Sequence, residues 1–283
     1  PEIISFPDPF LNGRIFDIEV KDDILYFGGN FFNFPTVPPV GGLNLSTYDV
    51  IDVFNLTGPF PSYFNGVEII TDMELKDTIL YVSHSARNES LFNNEGPYIA
   101  AWNLESGQQI TDWGVEISPT FYLDHEVRTI SVQDESVYIG GQSQLIGDDR
   151  VKNAVGISLV DGEITEWAPE FQSTVLKILA VDQHIFAGGH FNSLSVSDTE
   201  YDHAFLCKLD KDIGVPVLGF NNTSINGQVL DIEYDPNSNY LYVSGDFNTS
   251  NNSARNYVAA ISPESGEIID DWISDSLEYP QKM

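Results

Sequence analysis

The 283 residues carry 43 acidic against 12 basic side chains, a formal net charge of −31 at pH 7. Phosphate repels such a chain, and its few Lys and Arg are scattered singly, so no basic patch is available for nucleic acid. An anionic membrane surface is disfavoured in the same way, and no apolar run nears the roughly 20 residues of a membrane span. Hydrophobic residues at 42%, with 18 Phe, 13 Tyr and 4 Trp, supply a sizeable core, so this is not a disordered acidic chain. The single cysteine, Cys207, excludes an intrachain disulfide.

In chain order, the first element is PEIISF (1–6), an apolar strand whose Phe6 lies nine residues before Ile15, as Phe220 lies nine before Val229. A repeat then begins. NGRIFDIEVKDDILYFGG (12–29) is followed by NGVEIITDMELKDTILYVSH (65–84), HEVRTISVQDESVYIGG (125–141), STVLKILAVDQHIFAGG (173–189) and NGQVLDIEYDPNSNYLYVSG (226–245). Their late aromatics, Tyr26, Tyr81, Tyr138, Phe186 and Tyr242, are spaced by 55, 57, 48 and 56 residues. A second shared block follows each copy: YIAAWNLESGQQITDW (98–113), NAVGISLVDGEITEW (153–167), HAFLCKLDKDIGVPVLGF (203–220) and YVAAISPESGEIIDDW (257–272). The first unit has a degenerate copy, VIDVFNLTGPFPSYF (50–64). In all five a turn glycine precedes a closing aromatic: Gly58 with Phe64, Gly107 with Trp113, Gly162 with Trp167, Gly214 with Phe220, and Gly266 with Trp272.

Each unit holds two alternating strands joined by a polar turn such as Lys21-Asp22-Asp23, then two more joined by a Ser-Gly type turn. No segment sustains a 3.6-residue period over ten residues, which excludes a helical repeat. Four short strands in about 50 residues is the pattern of a β-propeller blade, a twisted sheet that buries both faces only by stacking on its neighbours. The expected fold is therefore all-β, a propeller of four-stranded antiparallel blades within one domain, 1–283. The five units run over about 13–64, 65–113, 125–167, 173–220 and 226–272, with one surplus N-terminal strand. The surplus strand suggests a segment of a longer chain whose ring has six or more blades; a decorating extra strand is the alternative.

Gly-Gly-x-Phe at 28–31 and 188–191, Arg-x-x-Val-Ala at 255–259, the turn glycine and the closing aromatic together resemble a known repeat. The chain is similar over 13–272 to the delta-60-type β-propeller repeat of secreted and surface proteins, and more loosely to kelch repeats. The resemblance implies the fold and an extracellular or cell-surface setting, and hardly any chemistry. Ser83-His84 replaces the diglycine in the second unit, Gln142-Ser143 follows it in the third, and the WD signature is absent.

No catalytic constellation stands out. His84, His125, His184, His190 and His203 fall at different positions in the units, without zinc-ligand spacing. Cys207 aligns with Trp102, Ile157 and Ile261, all apolar, and is expected in the core. Trp113, Trp167 and Trp272 share a position that Phe also fills, which favours packing between units over sugar stacking. The diglycines are expected to mark close packing or a bulge. Asp235, Asn237 and Asn239 have the alternate spacing of a calcium loop but lack its following Gly and distal Glu, and calcium is the one cofactor considered. The same residues suit a polar turn. Asp148, Asp149, Asp198, Glu200 and Asp202 lie in long connections between second and third strands, where carboxylates gathered on one face could bind a ligand. Seven sequons, at Asn44, Asn55, Asn88, Asn221, Asn222, Asn248 and Asn251, mark exposed loops.

Two functions are compatible with these features. One is a non-catalytic extracellular or cell-surface platform that binds protein or glycan, as a module of a larger surface assembly. The other is a polysaccharide-acting enzyme with a carboxylate pair on the axial loop face.

Overall fold

The computed structural model describes residues 13–31, 40–51, 67–87, 99–110, 127–142, 145–146, 149–150, 152–221, 225–248 and 256–272. The chain divides into two compact bodies, 1–112 with Met283 and 113–282. Among the described residues there is no helix; all regular structure is antiparallel β-sheet.

The first body holds two repeats. β1 (Gly13–Lys21), β2 (Ile24–Phe31), β3 (Val40–Asn44) and β4 (Val50–Ile51) form one four-stranded sheet in chain order. β5 (Val67–Lys76), β6 (Ile79–Arg87), β7 (Ile99–Asn103) and β8 (Gln108–Ile110) form the next. In the second body, β9 (Val127–Gln133) and β10 (Ser136–Gly141) are followed by a small hairpin, β11 (Leu145–Ile146) and β12 (Asp149–Arg150), before β13 (Ala154–Ser158) completes the sheet. β14 (Glu170–Phe171) leads into the fourth repeat, whose sheet is β15 (Val175–Val181), β16 (His184–Gly189) and β19 (Leu206–Asp210). Between β16 and β19 a hairpin, β17 (Ser193–Val196) and β18 (Thr199–Asp202), pairs with β14. The fifth repeat is β20 (Gln228–Asp235), β21 (Tyr240–Asn248) and β22 (Asn256–Ile261). In repeats three to five the fourth strand shrinks to a single bridge: Ile157 with Ile164, Leu209 with Pro216, and Ile261 with Ile268. Pro216 has no N–H to give a longer ladder.

Two turns recur because local chemistry demands them. Between first and second strands, Asp22, Asp77, Asp134 and Asp182 all sit at φ of 52–54°, and Asn239 at 55° in the longer fifth turn. Asp and Asn tolerate this left-handed conformation better than other side chains with a Cβ. After the third strand a side-chain oxygen caps the turn: Asn44, Asn103, Ser158, Asp210 and Ser262 each accept one or two of the next amides. Four residues beyond the cap the chain again needs positive φ, met by Gly107, Gly162, Gly214 and Gly266, and by Tyr48 in the first repeat.

Tyr48 corrects the register read for the first unit. The expected block at 50–64 put its turn glycine at Gly58, whereas the strand and its cap are Val40–Asn44 and the turn ends at Tyr48. Gly58, Phe64 and Trp113 lie outside the described residues, as does the N-terminal strand at 1–6.

The core lies between repeats rather than inside them. One buried cluster joins Tyr26 and Val40 of the first repeat to Ile70, Met73, Leu80 and Trp102 of the second. Another joins Tyr138 and Trp167 to Val175, Ile185 and Cys207, and a third joins Phe186 and Phe220 to Val229, Ile232 and Leu241. The diglycines make this stacking possible. A Cβ on Gly140 would lie 2.8 Å from Val175, and one on Gly188 would lie 2.6 Å from Val229. The second glycine faces backbone: a Cβ on Gly29 or Gly189 would stand 1.9 or 2.2 Å from the carbonyl oxygen of Arg14 or Thr174. These carbonyls sit where each first strand bulges, between Ile15 and Asp17 and between Val175 and Lys177.

Candidate functional site

The carboxylates singled out in the fourth repeat come together on the β17–β18 hairpin. Ser197 and Asp198 form its tip with φ of 49° and 64°, which returns the chain directly and pairs Ser195 with Glu200 and Ser193 with Asp202. Asp198, Glu200 and Asp202 are exposed, and Ser193 Oγ donates to Glu200 Oε1 at 3.3 Å. β14 adds a third strand with Glu170 opposite Ser195, so Glu170, Ser195 and Glu200 form one row across the small sheet. Lys152 Nζ pairs with Glu170 at 2.5 Å. Beneath the hairpin, Phe171 and Phe191 pack with ring centroids 4.6 Å apart, and Leu194 is buried with them. The hairpin is therefore seated on the core rather than a loose loop. In the third repeat β11–β12 occupies the same connection, with Asp149 opposite Ile146; Asp148 lies outside the described residues.

The Asp235 turn is arranged around its own hydrogen bonds. Asp235 Oδ1 accepts from Asn237 N at 2.9 Å and Nδ2 at 3.0 Å, and Oδ2 accepts from Ser238 Oγ at 2.7 Å. These donors hold the carboxyl below the usual Asp range, Ser238 contributing most. Asn239 Oδ1 accepts from Tyr234 Oη at 2.9 Å. Among the described residues no three His, Cys, Asp or Glu side chains cluster as metal ligands do.

Burial sets the state of the remaining candidates. It pushes the Cys207 thiol far up its scale, inert and packed in the core. It lowers the pKa of His203 and of His184, the latter helped by Lys208. Cys207 in fact aligns with Ala100, Val155 and Ala259, two residues from the register expected. A shift of two keeps a strand residue on the same face, so the expectation of burial survived the misalignment. His84 and His125 are not described at the side-chain level.

Residues that carry the junctions were not singled out from sequence. Just after the bulge each first strand places a polar residue: Asp17, Asp72, Thr129, Lys177 and Asp231. Asp17 Oδ2 accepts from Met73 N of the next repeat at 2.7 Å. Thr129 Oγ1 accepts from Ile178 N, and Ser131 Oγ from Ala180 N, both at 3.0 Å. These amides face outward from an edge strand and need an acceptor. Lys177 cannot supply one, and there Asp231 accepts the amide of Ile232 itself at 2.9 Å, with Lys177 Nζ 4.0 Å from the same carboxylate. Glu233 likewise bonds the backbone of Tyr234; partial shielding of its carboxylate raises its pKa although the residue is exposed, with Lys177 opposing the rise. The signal was available as a column of polar residues inside apolar strands. Lys208 is another such residue, 2% exposed, its Nζ 3.3 Å from Glu264 and 5.7 Å above the Phe186 ring.

No protein-family model matches the chain, and no curated protein does. Among solved structures, a chain of the mitotic checkpoint complex is 14% identical with a TM-score of 0.53, over 95% of this chain and 71% of its own. The extracellular domain of a putative hybrid two-component system from B. thetaiotaomicron is 13% identical with a TM-score of 0.51, over 90% of this chain and 27% of that one. The computationally designed Ika8 protein is 12% identical with a TM-score of 0.49, over 90% of this chain and 73% of its own. At these identities the first two likenesses concern the fold alone, an all-β arrangement of small antiparallel sheets.

Proposed function

We propose that the repeats are blades of a β-propeller of the delta-60 type, and that the chain is a non-catalytic extracellular or cell-surface module binding protein or glycan through its inserted hairpins. The observation that carries the reading is the β17–β18 hairpin. It is rooted on Phe171, Phe191 and Leu194, and presents Asp198, Glu200 and Asp202 to solvent. A rigid base with exposed polar groups suits recognition, because little order is lost on binding. The core clusters that span neighbouring repeats support blade stacking. A larger surface assembly is the natural setting for such a module.

A polysaccharide-acting enzyme is the second reading, favoured by the row that sets Glu170 and Glu200 on either side of Ser195. Two strand spacings separate them, about 9–10 Å between backbones. A glycan array run beside a reducing-end assay separates the two. Binding without release supports the platform, and release that is lost in Glu200→Gln supports the enzyme.

A further inference from the structure

The small sheet of the fourth repeat is bonded along one edge and open along the other. On the outer side of β14 both backbone groups of Phe171 are taken. Its N–H donates to Lys152 O at 2.9 Å, and its carbonyl accepts from Asn153 Nδ2 at 2.9 Å. The alternation of an antiparallel ladder then fixes the direction of the other groups. Gln172 N donates to Ser193 O at 3.0 Å, so Ser193 and Ser195 turn their backbone groups to β14, and Leu194 and Val196 turn theirs to β18. Their partners Tyr201 and Thr199 bond inward, and the N–H and C=O groups of Glu200 and Asp202 point out from β18. Among the described residues no strand pairs with that side, and Thr199, Glu200 and Asp202 are exposed. The edge of β15 in the same repeat is answered differently: the amides of Ile178 and Ala180 find the hydroxyls of Thr129 and Ser131.

An unbonded strand edge recruits another strand unless its side chains forbid it. Here the side chains select. Glu200 and Asp202 stand on one face of the small sheet, in the rows of Ser195 and Ser193, with Asp198 at the tip. Tyr201 lies on the other face and packs against the core. A second copy of β18 laid on this edge would set carboxylate beside carboxylate, which destabilises a cross-strand pair. A strand with Lys or Arg at alternate positions would set its cations beside Glu200 and Asp202, and its intervening side chains beside Tyr201.

We infer that β18 is a docking edge for an extended basic segment of a partner protein, which joins the small sheet as its fourth strand. This rests on reading the inserted hairpin as a binding platform, and it names the class of partner. Phe171, Phe191 and Leu194 hold the edge in place before the partner arrives, so little order is lost on docking. Main-chain bonds supply the attachment and the carboxylates supply the choice of sequence. The contact loosens as salt screens the charges.

The probe is a short capped peptide alternating Lys with Val, titrated into the full chain at physiological ionic strength and read by fluorescence anisotropy. Two further versions carry N-methyl groups on the Lys amides alone or on the Val amides alone. In a strand these two sets point to opposite sides, so one set alone can bond β18. The unmodified peptide is expected to bind, one methylated version to keep that binding and the other to lose it. A peptide with Glu for Lys is expected not to bind, and Glu200→Gln/Asp202→Asn to weaken binding about three- to tenfold. Hydrogen exchange followed by nuclear magnetic resonance is expected to slow at the amides of Glu200 and Asp202 and to stay unchanged at Tyr201. Equal behaviour of the two methylated peptides, or unchanged exchange at Glu200 and Asp202, overturns strand addition. If the peptide is then still lost by Asp198→Asn/Glu200→Gln/Asp202→Asn, the platform stands without it. No binding of any peptide also overturns the proposal, whereas the platform falls only if glycans and surface proteins bind native chain and triple variant alike.

Discussion

Tyr138 and Trp167 meet edge to face, with ring centroids 5.0 Å apart and planes at 80°. The next two repeats pair Phe186 with Phe220 at 5.7 Å and Tyr242 with Trp272 at 5.5 Å. Each pair links the second strand to the repeat's closing segment, beside a third-strand residue that is small in Gly156 and Ala260. A Cβ at Gly156 would lie 3.3 Å from Trp167. Where Lys208 takes that place, the closing aromatic is the smaller Phe220. Trp167→Ala is expected to cost about 3–5 kcal/mol in urea unfolding. Trp272→Ala, at a half-buried ring, is expected to cost less than half as much.

Thr129 tests the bonds that join repeats. Thr129→Val keeps the shape and leaves the amide of Ile178 without its acceptor in a buried setting. The expected loss is about 1–3 kcal/mol. Thr129→Ser restores the oxygen and is expected to recover most of it in the same unfolding measurement.

Two glycines separate steric from conformational need. Gly189→Ala drives a methyl into the Thr174 carbonyl and is expected to cost about 3 kcal/mol or more, read as a lowered urea midpoint. Gly219 has φ of 94° with nothing within 4 Å of an added Cβ, so Gly219→Ala meets strain alone, about 1 kcal/mol.

Burial lowers the pKa of both His184 and His203 below the ordinary value near 6.5. The unfolded chain therefore takes up these protons first. The stability they contribute is full above about pH 7 and is lost as pH falls through 6.5 toward the lowered folded values. Thermal scans from pH 8 to 5 are expected to show a falling Tm. The fall should be smaller in His203→Gln and smallest in His184→Gln/His203→Gln; an unchanged slope would contradict the assignment.

The repeat was legible because its turns force residue types. Asp at left-handed φ and glycine four residues past the cap recur wherever the backbone bends the same way. The packing role of the diglycines was legible for the same reason. The first repeat misled because Tyr48 does the work of a glycine, so the next Gly along the chain, Gly58, drew the register away. The junction acceptors were missed because Asp, Thr and Lys look unrelated until the neighbouring amide is seen. On the hairpin, residue types and loop position marked Asp198, Glu200 and Asp202. The strand pairing that adds Glu170 to their row depends on β14, two residues long and too short for any pattern.

The most direct test of the account is a glycan and surface-protein array probed with the native chain and with Asp198→Asn/Glu200→Gln/Asp202→Asn, each positive glycan also assayed for reducing ends. The account predicts binding that the triple variant loses while its unfolding curve stays unchanged, with no release of reducing ends. Release of reducing ends by the native chain, or equal binding by the variant, would contradict it.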